Sequence, residues 1–397
     1  MIERIEITGA TRTNRSYIER QFEFKTGDPV DLTKVNLTRK KLYDTRAFTR
    51  VEIEMVPGTS GYIARVHLTE NAPWRLTYGV AVTQHLQNSE QQLGFTTELS
   101  HNNLLGRGIT LGTSGKVNAD ERDVRVFGSS PEFFGRRVTT SLNVFRTQDL
   151  SDSEELVDYW GGTIQQQWKL RNNYLLSYDY SYKRVRTIAN FEGDSFLEDL
   201  PRIPIARFNV SISRDSRDDI LNATRGTFVS NSFEFAPKGI GSSIEFLRNF
   251  SQYFRYYPVK NFVLASGVRV GFVWAYHGQE LDPTLQFKAG GGTTVRGFKQ
   301  DTLTTFPGNY ELILNQELRF PLFWKFSGVA FMDAGQTAVR AKDFFSLRYS
   351  PGVGIRIQTP FILLRTDLGI NAWPRRGPNG EPVEQRGRWT FGIGQAF

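Results

Sequence analysis

The part of the sequence best suited to specific chemistry is GGGTTVRGF, residues 290–298, which lies in a long connector between two predicted strands. Its glycines fit a phosphate-cradling loop, a flexible surface loop or a loop folded into the interior of a barrel. A phosphate-binding loop would be followed by a Lys-Ser/Thr pair and a helical pattern, and the sequence contains neither at this point. In a loop folded inward, Arg296 requires acidic partners, because an unpaired buried guanidinium is costly.

Two carboxylates downstream have the strand position needed to meet Arg296. Along residues 312–320 apolar side chains alternate with polar ones, and Glu317 lies on the polar face. Asp333 falls on the same face of the next predicted strand, within FMDAG at residues 331–335. One guanidinium can bind two carboxylates at once. The pattern predicts that Arg296 pairs with Asp333, Glu317 or both, and that residues 278–307 form a loop folded into the barrel.

Nothing else in the sequence indicates bond-making chemistry. The chain has no Cys, and its four His are not spaced as metal ligands; they are His67, His85, His101 and His277. No nucleophile elbow accompanies them. We therefore expect neither an enzyme, nor a bound metal, nor a cofactor.

Composition favours a β-rich membrane protein. The 397 residues include 36 Gly and 13% aromatic residues, but only 39% are hydrophobic and the mean hydropathy is −0.39. This excludes spanning helices, which need long apolar runs. In a transmembrane β-barrel, lipid-facing and lumen-facing residues alternate, so the average hydropathy stays low. The net charge of +8 is spread along the chain, which favours a basic lumen or rim over a nucleic-acid surface.

Two regions differ in periodicity. Residues 1–73 predict a small module: isoleucines at 2, 5 and 7 form a strand, Asn14 caps a helix that reaches Phe22, and Asp31 or Thr33 begins a second helix. Two alternating runs complete the order β-α-α-β-β. From residue 74 to 397 alternation replaces helical spacing and predicts sixteen antiparallel strands. A transmembrane barrel fits this pattern best, and a soluble β-sandwich or propeller is the alternative.

Taken together, these motifs resemble the outer-membrane assembly-factor superfamily that includes BamA, TamA and the two-partner-secretion transporters. The matching features, in chain order, are residues 1–73 as one POTRA module, the turn Asn102-Leu104-Leu105-Gly106-Arg107-Gly108, the tetrapeptide Val295-Arg296-Gly297-Phe298, the strand motif Phe331-x-Asp333-x-Gly335 that receives the arginine, and a final strand over residues 389–397. The resemblance covers essentially the whole chain.

The resemblance implies an insertase that admits client strands at a lateral seam between the first and last strands. Glycines would weaken this seam, and the final strand would carry a C-terminal signal; the residues concerned are Gly79, Trp389, Phe391, Gly392, Ile393, Gly394 and Phe397. We expect Phe397 to anchor at the bilayer interface. Plain turn and twist relief is the alternative role of the glycines.

The resemblance also implies partners and a location. The location is an outer membrane, with a bacterial one favoured over that of an organelle, and the POTRA domain lies in the periplasm. The partners are the lipid bilayer, unfolded client outer-membrane proteins, and periplasmic or lipoprotein partners at the POTRA domain, without nucleic acid. The module could equally be a spacer or plug. Met1 leads directly into a charged segment rather than a signal peptide, which fits either a cytosolic protein or a mature or truncated form without its leader. Because the rest of the sequence predicts a barrel, we expect the mature or truncated form.

Three other functions remain open at this point. The first is a two-partner-secretion transporter, which would carry two POTRA modules and a conducting lumen. The second is the barrel of a patatin-type lipase whose enzyme domain lies elsewhere in the gene. The third is a passive porin, which would not need the loop that carries Arg296.

Overall fold

A computed structural model describes residues 1–84, 91–118, 121–149, 155–190, 197–199, 202–277, 281, 285–359, 363–376, 381 and 383–397. His85 and loop residues 278–280 and 282–284 lie outside this set. The chain forms two compact units, one of residues 1–82, 93–167 and 183–202, the other of residues 83–92, 168–182 and 203–397. Within the described residues, every helix is too short or too polar to cross a membrane.

The N-terminal module has the expected order, with β1 (Ile2–Thr8), α1 (Arg15–Glu19), α2 (Leu32–Asp44), β2 (Phe48–Pro57) and β3 (Tyr62–Glu70). Strand β3 lies between β1, to which it is parallel, and β2, to which it is antiparallel. Helix α2 begins where the Asp31 carboxylate accepts a hydrogen bond from the Thr33 N–H, at 2.8 Å. Helix α1 is shorter than predicted: Asn14 makes no side-chain cap and the helix ends before Phe22.

The segments with alternating apolar and polar residues from residue 74 onward form strands. The fold class is the predicted sixteen-stranded antiparallel β-barrel. The described part of the chain contains sixteen long strands and the three-residue β11. They are β4 (Trp74–Gln84), β5 (Gln91–Leu104), β6 (Ile109–Val117), β7 (Glu121–Ser130), β8 (Val138–Asp149), β9 (Glu155–Lys169), β10 (Tyr174–Asn190), β11 (Leu197–Asp199), β12 (Ile203–Asp215), β13 (Gly226–Ala236), β14 (Phe246–Val259), β15 (Phe262–Ala275), β16 (Tyr310–Pro321), β17 (Phe326–Ala338), β18 (Arg348–Gln358), β19 (Leu363–Ile370) and β20 (Gly387–Ile393).

Burial along these strands is the reverse of that in a soluble sheet. In β16 the carboxylate residue Glu317 is 0% exposed, whereas its neighbour Leu318 is 41% exposed. Strand β19 repeats this arrangement, with Asp367 buried and Leu364 exposed. Apolar side chains facing outward and charges facing inward suit a lipid-facing surface around a polar interior. This inward polar face is where a loop carrying an arginine can find partners.

The N-terminal module contacts two strand connections of its own unit. The Asn14 N–H donates to the Gly106 carbonyl at 2.9 Å, and Asn103 Nδ2 donates to Thr13 Oγ1 at 2.7 Å. Tyr17 is buried beside Gly108, and burial, reinforced by Glu132, raises the pKa of the Tyr17 hydroxyl to about 12.

Candidate functional site

The connector between β15 and β16 folds onto the inward face of the sheet. Ala289, Val295, Phe298 and Leu303 from the connector form a buried cluster with Ile313 of β16. A backbone bridge between residues 287 and 308 closes the base of the connector. Because the connector carries its own apolar contacts, Arg296 is held in a defined position rather than on a flexible surface loop.

Arg296 lies between two carboxylates. Its Nε and Nη2 donate to Asp333 Oδ2 and Oδ1 at 2.7 and 2.8 Å, and its Nη1 donates to Glu317 Oε1 at 2.6 Å. The Arg296 backbone N–H also donates to Asp333 Oδ2, at 3.0 Å. All three side chains are at most 1% exposed. Charge-assisted, bidentate geometry of this kind compensates for removing the three charges from water.

Neighbouring side chains fix the orientation of the Arg296–Asp333 pair. Asn315 stands opposite Asp333 in the β16–β17 ladder, and its Nδ2 donates to Asp333 Oδ1 at 2.8 Å and to the Thr294 carbonyl at 2.6 Å. The Phe331 ring lies beneath the guanidinium, with 3.4 Å between the Arg296 Cζ and the ring centroid. A flat aromatic face and a rigid acceptor restrict the guanidinium to one plane.

A third carboxylate extends the cluster to β19. Asp367 Oδ2 lies 3.7 Å from Arg296 Nη1, and Asp367 Oδ1 accepts a hydrogen bond from Arg356 Nη1 at 2.7 Å. Arg365 also reaches the connector, where its Nη1 donates to the Gly292 carbonyl at 2.7 Å. The connector is thereby bound to β16, β17 and β19 together. We call the set Arg296, Glu317, Asp333, Arg356 and Asp367 the Arg296 cluster.

Glycines permit the close approach of connector and strand. Gly297 has φ of 95°, and a Cβ there would collide with the Ser350 hydroxyl and approach the Gly369 carbonyl carbon to 3.0 Å. Gly369 of β19 faces the same contact, since its own Cβ would meet the Gly297 nitrogen. Where the connector meets β17, a Cβ on Gly335 would lie 2.7 Å from the Val295 side chain. These positions therefore need glycine.

An ion pair between Arg348 of β18 and Glu384 of the β19–β20 connection lies against the connector. Arg348 stacks over the Phe298 ring at 4.5 Å and donates to Glu384 Oε1 at 2.8 Å. Burial opposes ionisation of Glu384, but hydrogen bonds from the Arg348 side chain and the Arg375 backbone lower the pKa of its carboxyl to about 2. Arg348 Nη1 also donates to the Leu303 carbonyl at 2.7 Å.

The geometry is that of an anchor rather than a reactive centre. Each carboxylate of the cluster is engaged by a guanidinium, so none is free to act as a general acid or base. Among the described residues, no cluster of potential metal ligands is present. What the arrangement can do is fix the connector against three strands, among them β19, which pairs with the last strand β20.

The region that contains this anchored connector matches a known domain. The Omp85 superfamily domain model matches residues 103–397, and the POTRA model, described as a surface antigen variable number repeat, matches residues 1–71. The chain belongs to the Omp85 superfamily. An Omp85 barrel with a POTRA domain places the protein in an outer membrane, with its POTRA domain in the periplasm.

Individual relatives agree with this assignment. The chain is 25% identical to the outer membrane protein assembly factor BamA of Nitratidesulfovibrio vulgaris, over 100% of this chain and 51% of that protein. It thus spans about half the length of this curated relative. In fold it is similar to BamA from Haemophilus ducreyi lacking POTRA domains 1–3 (TM-score 0.78, 17% identity, 99% of this chain, 84% of that one). It is also similar to CdiB from Escherichia coli (TM-score 0.62, 16% identity, 99% and 75%).

The residues expected at a seam have distinct surroundings in this Omp85 protein. Trp389, Phe391 and Ile393 of β20 are exposed, as lipid-facing side chains would be. A Cβ on Gly392 would lie 2.6 Å from Arg365 Nε, so this glycine makes room for an inward arginine. The site therefore gives Gly392 a role apart from weakening strand contacts. For Gly79, the nearest atom to an added Cβ is Thr96 Oγ1, at 3.9 Å.

Phe397 does not lie where the sequence suggested. Its ring packs on Phe254 and Tyr256 of β14, with centroid distances of 5.5 and 6.4 Å. Arg319, which also donates to Glu317, stacks over the same ring. The expected position at the bilayer interface is wrong, because Gly394 turns the chain inward after β20.

Sequence reasoning missed Asp367 and Arg356. Both are buried on the inward face of their strands, as Glu317 is in β16. The signal was available, since Asp367 alternates with apolar Leu364 and Leu368 in the way that led to Glu317. Sequence alone could not show that β19 approaches the connector, because that depends on where Gly297 meets Gly369.

Proposed function

We propose that this chain is an outer-membrane protein assembly factor that inserts client β-barrel proteins at the edge between β4 and β20. Support comes from the curated BamA relative, which aligns over the whole chain. The observation that carries the proposal is the Arg296 cluster, which fixes the connector to β19, the ladder partner of β20. A scaffold held in this way stays rigid while its last strand exchanges partners. The activity makes and breaks no covalent bond.

The physical basis is the behaviour of a strand edge in lipid. Backbone groups without partners are costly in hydrocarbon, so an open edge favours pairing with an incoming strand. Strand β20 has 7 residues, fewer than its neighbour β19 with 8 and far fewer than β14 with 14. A short strand contributes few ladder hydrogen bonds, so its pairing can be exchanged at moderate cost. Gly392 and Gly394 further reduce side-chain contacts near its end.

The direct test joins the proposed edge covalently. One cysteine in β4 and one in β20 can be oxidised to a disulfide in this Cys-free chain, and client folding can then be followed in proteoliposomes by heat-modifiable gel migration. We expect the oxidised protein to stop folding clients and the reduced protein to recover. Equal rates in both states would exclude insertion at this edge.

The POTRA domain would receive clients and periplasmic or lipoprotein partners. Its sheet has β1 and β2 as edge strands, and an edge strand can accept an extended peptide by strand addition. Deleting residues 1–73 should then reduce client folding while the barrel still assembles. Retention of full activity would make the module a spacer.

A two-partner-secretion transporter is the second candidate, favoured by the similarity in fold to CdiB. The two functions differ in what moves through the protein. A transporter would conduct ions in planar bilayers and export one polypeptide, whereas an insertase would fold several unrelated β-barrel clients. Measuring conductance together with folding of two unrelated clients separates these outcomes.

A further inference from the structure

A row of polar side chains crosses the outward face of four neighbouring strands. Thr227 of β13, Arg255 of β14, Ser266 of β15 and Gln316 of β16 are successive ladder partners, so they stand side by side. Gln316 has the opposite parity to the buried Glu317, which places the row on the lipid side of the sheet. We call these four residues the outer polar row.

The outer polar row lies inside the apolar surface rather than at its edge. Toward the β14–β15 turn, the next ladder row consists of Tyr257, Leu264 and Leu318, all exposed. On the opposite side, the next row includes the ladder pair Tyr253 and Val268. Polar residues with apolar neighbours on both sides are costly in lipid, and a bound partner would offset that cost.

The end of the strands nearer this row faces the periplasm. The β14–β15 turn consists of residues 260–261, whereas the connector at the other end of β15 runs over residues 276–309. In outer-membrane barrels, short turns are periplasmic and longer loops are extracellular. Arg255 precedes Val259, the last residue of β14, by roughly 13 Å at about 3.4 Å per residue. Its backbone therefore lies within the apolar surface, on the side of the periplasmic leaflet.

Arg255 has an exposed side chain and lacks an acidic partner. Over the described ranges of the chain, no Asp or Glu oxygen lies within ion-pair distance of its guanidinium. A guanidinium facing lipid without a counter-charge is unfavourable. A phosphate group supplies both the negative charge and two oxygens for a bidentate contact.

A second arginine lies beside the row. Arg214 of β12 stands opposite the exposed Val229, so it also faces outward, and its guanidinium lies 5.3 Å from the centroid of the Tyr174 ring. Asp215, its neighbour in the chain, points inward and pairs instead with Arg217 at 2.7 Å. In the described parts of β12–β16, the outward face thus carries two cations and no carboxylate.

The side chains that flank Arg255 are held in place by hydrogen bonds. Ser266 Oγ donates to Gln316 Oε1 at 2.8 Å, and Gln316 Nε2 donates to a β15 carbonyl at 3.2 Å. On the other flank, Thr227 Oγ1 lies 3.0 Å from Ser216 Oγ. An amide nitrogen has two hydrogens, so Gln316 keeps one for a further acceptor beside the guanidinium.

We propose that the outer polar row, together with Arg214, binds the headgroup of one anionic phospholipid of the periplasmic leaflet. The phosphate binds Arg255, and the apolar rows on either side contact the acyl chains. A zwitterionic headgroup is disfavoured, because its ammonium would face two guanidinium groups. This site goes beyond the proposed function, since a lipid can bind the barrel wall whatever passes through or along the barrel.

The decisive experiment counts lipids on the intact chain. The purified protein in a neutral detergent is mixed with dioleoyl-phosphatidylglycerol, dioleoyl-phosphatidylethanolamine or inorganic phosphate, and the retained molecules are counted by native mass spectrometry. We expect one phosphatidylglycerol per chain, and about tenfold weaker binding of the other two probes. Arg255→Gln should weaken phosphatidylglycerol binding about tenfold. Arg340→Gln is the matched control, because Arg340 is exposed in the β17–β18 connection and pairs with Asp343.

Each alternative occupant has its own outcome. Equal binding of phosphatidylethanolamine would overturn the proposal, because charge would then not select the lipid. Equal binding of inorganic phosphate would make this a site for free phosphate instead. Dimers that disappear with Arg255→Gln would assign the row to contact between two copies of the chain. Unchanged phosphatidylglycerol binding in Arg255→Gln would exclude this row as the lipid site.

A second measurement is made in membranes and does not depend on detergent. Arg255→Leu keeps an apolar outward side chain, so the barrel should still fold. Adding phosphatidylglycerol to phosphatidylcholine vesicles should raise the temperature at which the parent loses compact gel migration by about 3 °C, because a ligand of the folded state stabilises it. The same addition should leave Arg255→Leu unchanged. An equal rise in both proteins would overturn the site.

Discussion

Arg296 and Asp333 are joined by three hydrogen bonds, one from the arginine backbone and two from its guanidinium, at 3.0, 2.7 and 2.8 Å. The backbone bond means that Asp333 positions the connector itself as well as the side chain. A carboxylate that holds both parts of one residue acts as a rigid attachment point.

Replacing Arg296 should release the connector. Arg296→Ala leaves Asp333 buried with Asn315 as its side-chain donor, a loss on the order of 3–5 kcal/mol. Arg296→Lys should recover only part of this, because an ammonium cannot bind in the planar, bidentate manner. The measurement is the temperature at which the barrel loses its compact gel migration. Arg340→Ala, an exposed arginine paired with Asp343, is the control and should change nothing.

Asp367→Asn tests the third carboxylate. The neutral amide keeps the shape but removes the charge that Arg356 and Arg296 share, so we expect a loss of about 2 kcal/mol in barrel stability. Hydrogen exchange of residues 285–309 should rise at the same time. Asp343→Asn, in an exposed pair, serves as the matched control. Unchanged exchange in Asp367→Asn would show that the link to β19 does not hold the connector.

Gly297→Ala should displace the connector through a steric effect. The positive φ and the contact with Ser350 together make a Cβ unfavourable, at a cost of about 1–3 kcal/mol. Gly239→Ala is the control, since a Cβ there has no atom within 4 Å and its φ is ordinary. The measurement is protease cleavage within residues 285–309. Equal resistance of the two variants would argue against the close approach to β19.

The POTRA domain should loosen near residue 12 in strong acid. Burial opposes ionisation of Glu70, but hydrogen bonds from Thr13 and Arg12 lower the pKa of its carboxyl to about 2, below the usual 4.5. A lowered folded-state pKa gives stability that is complete above about pH 4.5 and is lost as the pH falls through about 2. Protection of the Arg12 and Thr13 amides against hydrogen exchange should fall across this window. Glu70→Gln should show weak protection at every pH.

Particular residues show how far sequence reasoning reaches. Glu317 and Asp333 could be found because strand parity has a period of two, so one alternating run assigns each side chain to a face. Phe397 could not be placed in this way, since the turn at Gly394 removes it from the period of β20. From sequence, Gly392 could either weaken the seam or relieve strand twist. Its contact with Arg365 depends on the pairing of β19 with β20, which the sequence does not show.

The sequence by itself determined the POTRA order, the sixteen-stranded barrel and the inward face of the strands that carry Glu317 and Asp333, because these follow from local periodicity and turn residues. It also determined that Arg296 needs acids, since a buried charge requires partners. Only the tertiary structure decided that both carboxylates bind Arg296 at once, that Asp367 is a third, and that residues 394–397 pack beside Arg319 and Arg356. Such contacts join residues far apart in the chain, and their distances depend on strand register and connector conformation, which no local pattern encodes.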